Sequence, residues 1–322
     1  MRYAIVASAL FAGASAHGLV TSIEGANGVT MPGLSVADGT PRDCSSNGCG
    51  SQADTAIIRD RDMGSGRATA LGRTQGNGPI DAAAVISTFM GTGANSAPTN
   101  NGTDGASGVE DDLSDLQAAS AQRRAEHKRQ IGNLFGGGNG GGSRLGGLFG
   151  GGGGGNGGGI GGLFGGGGDA NDRGPETMVA DTAGLGSSNG LPTASDSGEI
   201  NMVFRQINQD GAGPLTAEVD GTSGGTDPNA FQTAEVTQDV PGLGVQGLSL
   251  ATNTDFPLTV QMPAGMTCDA SVGGADNVCV VRVRNGAAAG PFGGSAAFTQ
   301  SNAARKRAIA YRLKKRMALN RD

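Results

Sequence analysis

A glycine tract near the middle of the chain limits the fold more than any other feature. Residues 136–168 are almost pure glycine, and the chain as a whole has 62 glycines among 322 residues. Glycine loses the most backbone entropy on ordering and offers no side chain to pack. The tract is therefore predicted to be disordered. The tract contains or adjoins three Leu-Phe pairs, at 134–135, 148–149 and 163–164. Two interpretations follow: the tract is a flexible insertion without a function of its own, or the pairs mediate weak self-association.

The tract lies between two portions with globular composition. Residues 17–92 mix short apolar runs with turn signals, whereas residues 198–300 show period-two alternation of apolar and polar side chains. Such alternation indicates strands with one buried and one solvated face. The sequence therefore predicts an all-β fold, an immunoglobulin-like antiparallel β-sandwich formed by both portions as one discontinuous domain. Residues 93–197 are predicted to be a disordered insertion.

The first sixteen residues have the pattern of a secretory signal peptide. Arg2 provides the positive charge, an apolar run follows, and Ala14-Ser15-Ala16 is a small-residue cleavage site. Cleavage there leaves His17 as the first residue. No stretch approaches the roughly 18 apolar residues of a transmembrane helix. We therefore expect a secreted protein, extracellular or associated with the cell wall, with no transmembrane segment.

Charge is divided unevenly along the chain. The net charge is −6, although the last 18 residues hold eight basic residues and one acid. A strongly acidic body argues against nucleic-acid binding, which requires a basic surface. Residues 301–322 form a basic amphipathic tail, with Ile309, Leu313 and Met317 among the cations. Two interpretations stay open: a helix on a wall polyanion or membrane surface, or a frayed solvated tail.

Four cysteines suit an oxidising compartment. Three pairings are possible, and short separations favour Cys44 with Cys49 and Cys268 with Cys279. A zinc site is disfavoured because the usual two-residue spacings are missing. Asn101-Gly102-Thr103 is a candidate N-glycosylation site.

Several motifs occur in an order that resembles a known family. They include His17-Gly18, Arg42-Asp43-Cys44, Asn208-Gln209-Asp210-Gly211, Arg284-Asn285 and Gly290-Pro291-Phe292. Over residues 17–92 and 198–300 the chain resembles the fungal Egh-like (MAS-like) appressorium-associated secreted proteins. The resemblance implies a surface or wall-associated protein that acts in host penetration or infection-structure development. It implies a host surface or a fungal cell-wall polymer as partner, and brings no catalytic residues.

A mature N-terminal histidine on a β-sandwich also looks like the lytic polysaccharide monooxygenases. In that family a copper ion is held by the terminal amine, the first imidazole and a second imidazole. Copper(II) favours such nitrogen-rich sites, so His17 is a candidate metal ligand and copper a candidate cofactor. The only other histidine, His127, lies among cations that oppose metal binding. A carboxylate such as Asp210 is an alternative ligand, which leaves a copper-dependent polysaccharide oxidase as the second hypothesis.

Overall fold

The structure is a computed structural model that describes most of the chain outside the glycine tract. The described residues are 17–46, 48–93, 98–100, 168–209, 211–242, 249, 251–287 and 290–319. The predicted signal peptide, the glycosylation site at Asn101, His127 and Asp210 lie outside these ranges, as does the tract up to residue 167. Predictions about those residues stay predictions.

Strands dominate this part of the chain. They are β1 (Gly18–Glu24), β2 (Thr30–Pro32), β3 (Ala56–Ile57), β4 (Arg73–Thr74), β5 (Gly78–Pro79), β6 (Asp169–Ala170), β7 (Thr193–Ala194), β8 (Glu199–Gln206), β9 (Thr216–Asp220), β10 (Phe231–Gln238), β11 (Thr254–Gln261), β12 (Ala270–Val272), β13 (Ala275–Arg284) and β14 (Phe292–Gln300). The helices are α1 (Asp60–Gly64), α2 (Ala82–Phe89), α3 (Met178–Asp181), α4 (Gly186–Asn189) and α5 (Asn302–Leu319), with a 3₁₀ turn at Pro228–Ala230.

The main strands form one continuous antiparallel sheet folded into two layers. The first layer has the order β2-β1-β8-β11-β10, and the second continues from β10 through β9, β13, β14, β3, β4 and β5. The layers approach closely where β1 meets β14, because a Cβ at Gly294 would lie 2.5 Å from the backbone nitrogen of Val20. The predicted all-β antiparallel sandwich is therefore confirmed.

In this sheet the strands of residues 198–300 form one central block, and strands of residues 17–92 flank it at both ends. β1 pairs with β8, placing Val20 opposite Phe204, and β14 pairs with β3. In β11 the apolar residues Phe256, Leu258 and Val260 are buried, as the period-two alternation requires. The core thus forms between segments that are far apart in the sequence.

The insertion predicted over residues 93–197 extends too far, because residues 168–197 are folded. β6 pairs with β11, β7 pairs with β14, and the side chain of Val179 is buried. This polar, glycine-containing segment has no periodicity of its own. Its order comes from contacts with the sandwich, which local sequence does not reveal.

The basic tail is helical, so the frayed-tail interpretation is wrong for residues 302–319. The hydroxyl of Ser301 accepts a hydrogen bond of 3.1 Å from the N–H of Ala304, which caps the first turn. Arg305 ties the helix to the sandwich by donating to Asp269 Oδ1 at 2.7 Å and to Asn277 Oδ1 at 2.9 Å. Within the described ranges, no helix has the length and apolar character needed to cross a bilayer.

Candidate functional site

His17 lies in a closed pocket at the start of β1, with 1% of its surface exposed. Its backbone nitrogen donates to Asn208 Oδ1 at 2.7 Å, and its carbonyl accepts from Ile207 N at 2.9 Å. Its imidazole packs on the ring of Phe292, with 4.5 Å between ring centroids. The first residue of the predicted mature chain is therefore held by both its backbone and its ring.

Two loops close this His17 pocket. At Gly211 a Cβ would lie 2.1 Å from the carbonyl oxygen of His17, so only glycine permits this approach. On the other side, Asn285 Oδ1 accepts from the backbone nitrogens of Phe292 at 3.0 Å and Ala287 at 3.2 Å. Asn285 Nδ2 also donates to the carbonyl of Ala212 at 3.3 Å, which ties the two loops together.

The described surroundings of His17 do not by themselves form a metal centre. The backbone nitrogen that would bind copper donates to Asn208, and the imidazole packs against an aromatic ring. No group of three or more histidine, cysteine, aspartate or glutamate side chains with metal-binding geometry occurs within the described ranges. Since His127 and Asp210 lie outside those ranges, copper binding at His17 stays a prediction.

A second polar site, the Arg42 cluster, is buried where residues 168–181 meet the sandwich. Arg42 is 1% exposed and donates to both carboxylate oxygens of Asp54, at 3.0 Å and 2.6 Å. Its Nε donates to Glu176 Oε2 at 3.0 Å. Burial alone would lower the pKa of Arg42, but the two carboxylates outweigh it and raise that pKa above its usual range. The cation is permanently charged, which suits structural pairing rather than proton transfer.

Arg205 extends the Arg42 cluster into β8. It donates to the carbonyl oxygens of Arg42 and Asn171, the latter at 2.8 Å, and to Asp255 Oδ1 at 3.0 Å. Burial lowers the pKa of Arg205, and Asp255 only partly offsets this effect. The cluster thereby joins the first portion, the second portion and the segment that follows the glycine tract.

Glu176 makes the stability of this cluster pH-dependent. Burial raises the pKa of Glu176, but the charge and hydrogen bond of Arg42, together with the N–H of Met178 and the charge of Arg173, outweigh burial and hold this pKa below its ordinary value of 4.5. A carboxyl with a lowered folded-state pKa contributes stability above its unfolded pKa. That contribution disappears as pH falls through the folded-state value.

We therefore expect Glu176→Gln to lower Tm at pH 7, because a charge-assisted hydrogen bond is lost. The Tm values of the two proteins should converge as pH falls below 4.5 and through the lowered folded-state pKa of Glu176, where Glu176 itself becomes neutral. Circular dichroism melts across this range measure the effect. Asp38, whose pKa is raised chiefly by burial and also by the charge of Glu176, responds to this substitution, so the melts are repeated in an Asp38→Asn background. A constant Tm difference down to pH 3 would contradict this assignment.

The structure pairs Cys44 with Cys49 and Cys268 with Cys279. It places the sequence-predicted His17 beside Asn208 and Phe292, which sequence reasoning did not identify as its neighbours. Both residues belong to the motifs that carry the family resemblance. Membership of those motifs was the one sequence signal that could have pointed to Asn208 and Phe292. It did not indicate that their motifs contact the motif of His17.

Comparison with known proteins agrees with that resemblance. The Egh16-like virulence factor family matches residues 15–293. The chain is 52% identical over 301 residues to "Appressoria-specific virulence factor GAS2" of Pyricularia oryzae strain 70-15, covering 94% of this chain and 89% of the relative. It is 39% identical over 129 residues to "Appressoria-specific virulence factor GAS1" of the same fungus, covering 39% of this chain and 50% of that relative.

No solved structure matches the chain significantly. The family match spans both sandwich portions, including His17, Arg42, Asn208 and Phe292. The resemblance inferred from the ordered motifs is confirmed. This chain belongs to the Egh16-like virulence factor family.

Proposed function

We propose that this protein is a secreted fungal virulence factor that acts, without catalysis, in the development of infection structures or in host penetration. The observation that carries the proposal is 52% identity, over 94% of the chain, to a protein named an appressoria-specific virulence factor. A signal-peptide pattern before His17 and two disulfides favour secretion. The partner is a host surface or a fungal cell-wall polymer.

The environment of His17 supports a non-catalytic role. A copper ion that oxidises a polymer must reach it, whereas His17 is 1% exposed in the uncleaved chain and packs on Phe292. The contacts of its backbone with Asn208 and Ile207 anchor β1 to the loop after β8. This arrangement favours a structural role for the predicted N-terminus.

The proposal is tested by deleting the gene in the source fungus and complementing it with a fluorescent fusion under its own promoter. We expect fluorescence at appressoria and in the extracellular fraction, and reduced host penetration in the deletion strain. A second complementing allele inserts Ser-Gly between the signal peptide and His17, which removes the free amine of His17. It should restore penetration fully. Normal penetration by the deletion strain would contradict the virulence role, and failure of the extended allele alone would contradict the non-catalytic role.

The alternative, a copper-dependent polysaccharide oxidase, makes a different prediction in vitro. Copper(II) is titrated into protein that begins at His17 and into the same protein extended by Ser-Gly, with electron spin resonance as readout. For a structural His17 we expect the two forms to bind copper equally weakly. A tight 1:1 nitrogen-coordinated complex that the extension abolishes would instead favour the oxidase, because only the unextended chain offers the terminal amine.

A further inference from the structure

Helix α5 has a docked face and a free face. Ala304 and Ala308 are buried against the sandwich, and Arg312 donates to Thr267 Oγ1 at 2.9 Å. Together with Arg305, these residues hold the helix on the protein surface. The docked face is therefore occupied by the chain itself.

The free face carries an apolar stripe, formed by Ile309, Leu313 and Met317. These residues follow one another at intervals of four, so they lie on one side of the helix. They are 40%, 53% and 62% exposed. The stripe lies roughly opposite Ala304 and Ala308 on the helix, since each residue advances the direction by about 100°. A line of exposed apolar side chains with a polar rim is typical of an interaction site.

Cations border the apolar stripe. Lys306 lies one turn before Ile309, Arg316 one turn after Leu313, and Lys314 one turn before Met317. None of these three makes a salt bridge with any residue that the structure describes, in contrast to Arg305, which pairs with Asp269. They are available to an external anion.

We propose that α5 docks the protein on an anionic lipid bilayer, lying in the interface with the apolar stripe toward the acyl chains. An anionic wall polymer would use the cations and leave the apolar stripe in water. A wholly apolar protein partner would have to desolvate the cations. An anionic lipid surface accommodates both, with the lysine and arginine stems extending to the headgroups. This inference concerns the helix alone and does not depend on the proposed function.

The chain offers a clean spectroscopic test because it contains no tryptophan. Leu313→Trp places a single indole in the apolar stripe. We expect its emission to shift to the blue on titration with vesicles of phosphatidylcholine and phosphatidylserine, and to be quenched by brominated acyl chains. Pure phosphatidylcholine vesicles should produce a much smaller shift, and added salt should weaken binding.

Two further double variants, made in the Leu313→Trp protein, separate the contribution of the cations to vesicle binding from that of the apolar stripe. Lys314→Gln with Arg316→Gln should weaken binding to anionic vesicles roughly 30-fold, since each basic residue contributes about fivefold. Ile309→Gln with Met317→Gln keeps good helix formers and should reduce binding at least tenfold. The charge-matched control is Arg61→Gln with Arg67→Gln near α1, which should leave binding unchanged. Unchanged circular dichroism melts verify folding of each variant.

Several results would overturn the proposal. They are an absence of vesicle binding, equal binding when the apolar stripe is removed, and a blue shift without vesicles that depends on protein concentration, which indicates self-association through α5. Binding to soluble polygalacturonate without a blue shift would point to a polyanion instead. None of these outcomes affects the penetration assay, so the two proposals fail separately.

Discussion

Replacing Arg42 with methionine should lower the free energy of unfolding by about 3–5 kcal/mol, because it leaves the buried carboxylates of Asp54 and Glu176 without their counter-ion. Both carboxylates bond directly to the guanidinium, and Asp54 is fully buried. Urea unfolding followed by circular dichroism measures the change. The loss should also expose residues 168–181 to limited proteolysis, since Glu176 anchors that segment to the sandwich.

A matched control uses an arginine in an exposed ion pair. Arg307 lies 3.6 Å from Asp196, and both side chains are more than half exposed. Arg307→Met should change the free energy of unfolding by no more than about 1 kcal/mol. If both variants lose similar stability, the Arg42 cluster is not the anchor inferred here. If Arg42→Met does not fold, Asp54→Asn removes a single charge from the same cluster and serves as the milder variant.

Replacing Phe292 with alanine should cost about 3–5 kcal/mol and lower Tm by roughly 10 °C. Phe292 is fully buried, packs on His17 and, through the loop held by Asn285, closes the pocket around the predicted N-terminus. The variant leaves a cavity against the imidazole. It should also remove the ring-current shift of the His17 imidazole protons in an NMR spectrum, which is simple to assign because the chain has only two histidines.

Phe231→Ala provides the same chemical change at a half-buried ring. Phe231 lies under the guanidinium of Arg282, with 4.3 Å between Cζ and the ring centroid. Its loss should cost less than about 2 kcal/mol and leave the His17 resonances in place. An unchanged His17 spectrum in Phe292→Ala would contradict the packing described for the His17 pocket.

Local sequence patterns were sufficient to predict strands in residues 198–300. The alternation in β11 is visible in the sequence because each apolar residue faces the same core. The separation of the cysteines indicated pairs that the structure contains, since short loops with turn residues close easily. Local patterns did not predict that residues 168–197 are folded. This segment has no periodicity, and it is ordered through the contacts of Glu176 and Val179.

The candidate site was only partly predictable for a related reason. His17 is recognisable from the cleavage pattern before it, whereas Asn208 bonds to it across 191 positions in the chain. Likewise, Arg42 belongs to a motif, but nothing near it in the sequence points to Glu176. Contacts over such separations depend on register and layer packing, which no local pattern contains.

By itself, the sequence determined the all-β class, the family and the position of the glycine tract, since these depend on composition, alternation and motif order. Tertiary structure alone decided that His17 is enclosed between two loops, that the Arg42 cluster joins three segments, and that α5 docks on one face while its apolar stripe stays exposed. The burial and the pairing of these side chains depend on which surfaces pack together. Those surfaces form only when segments that are distant in the sequence fold against one another.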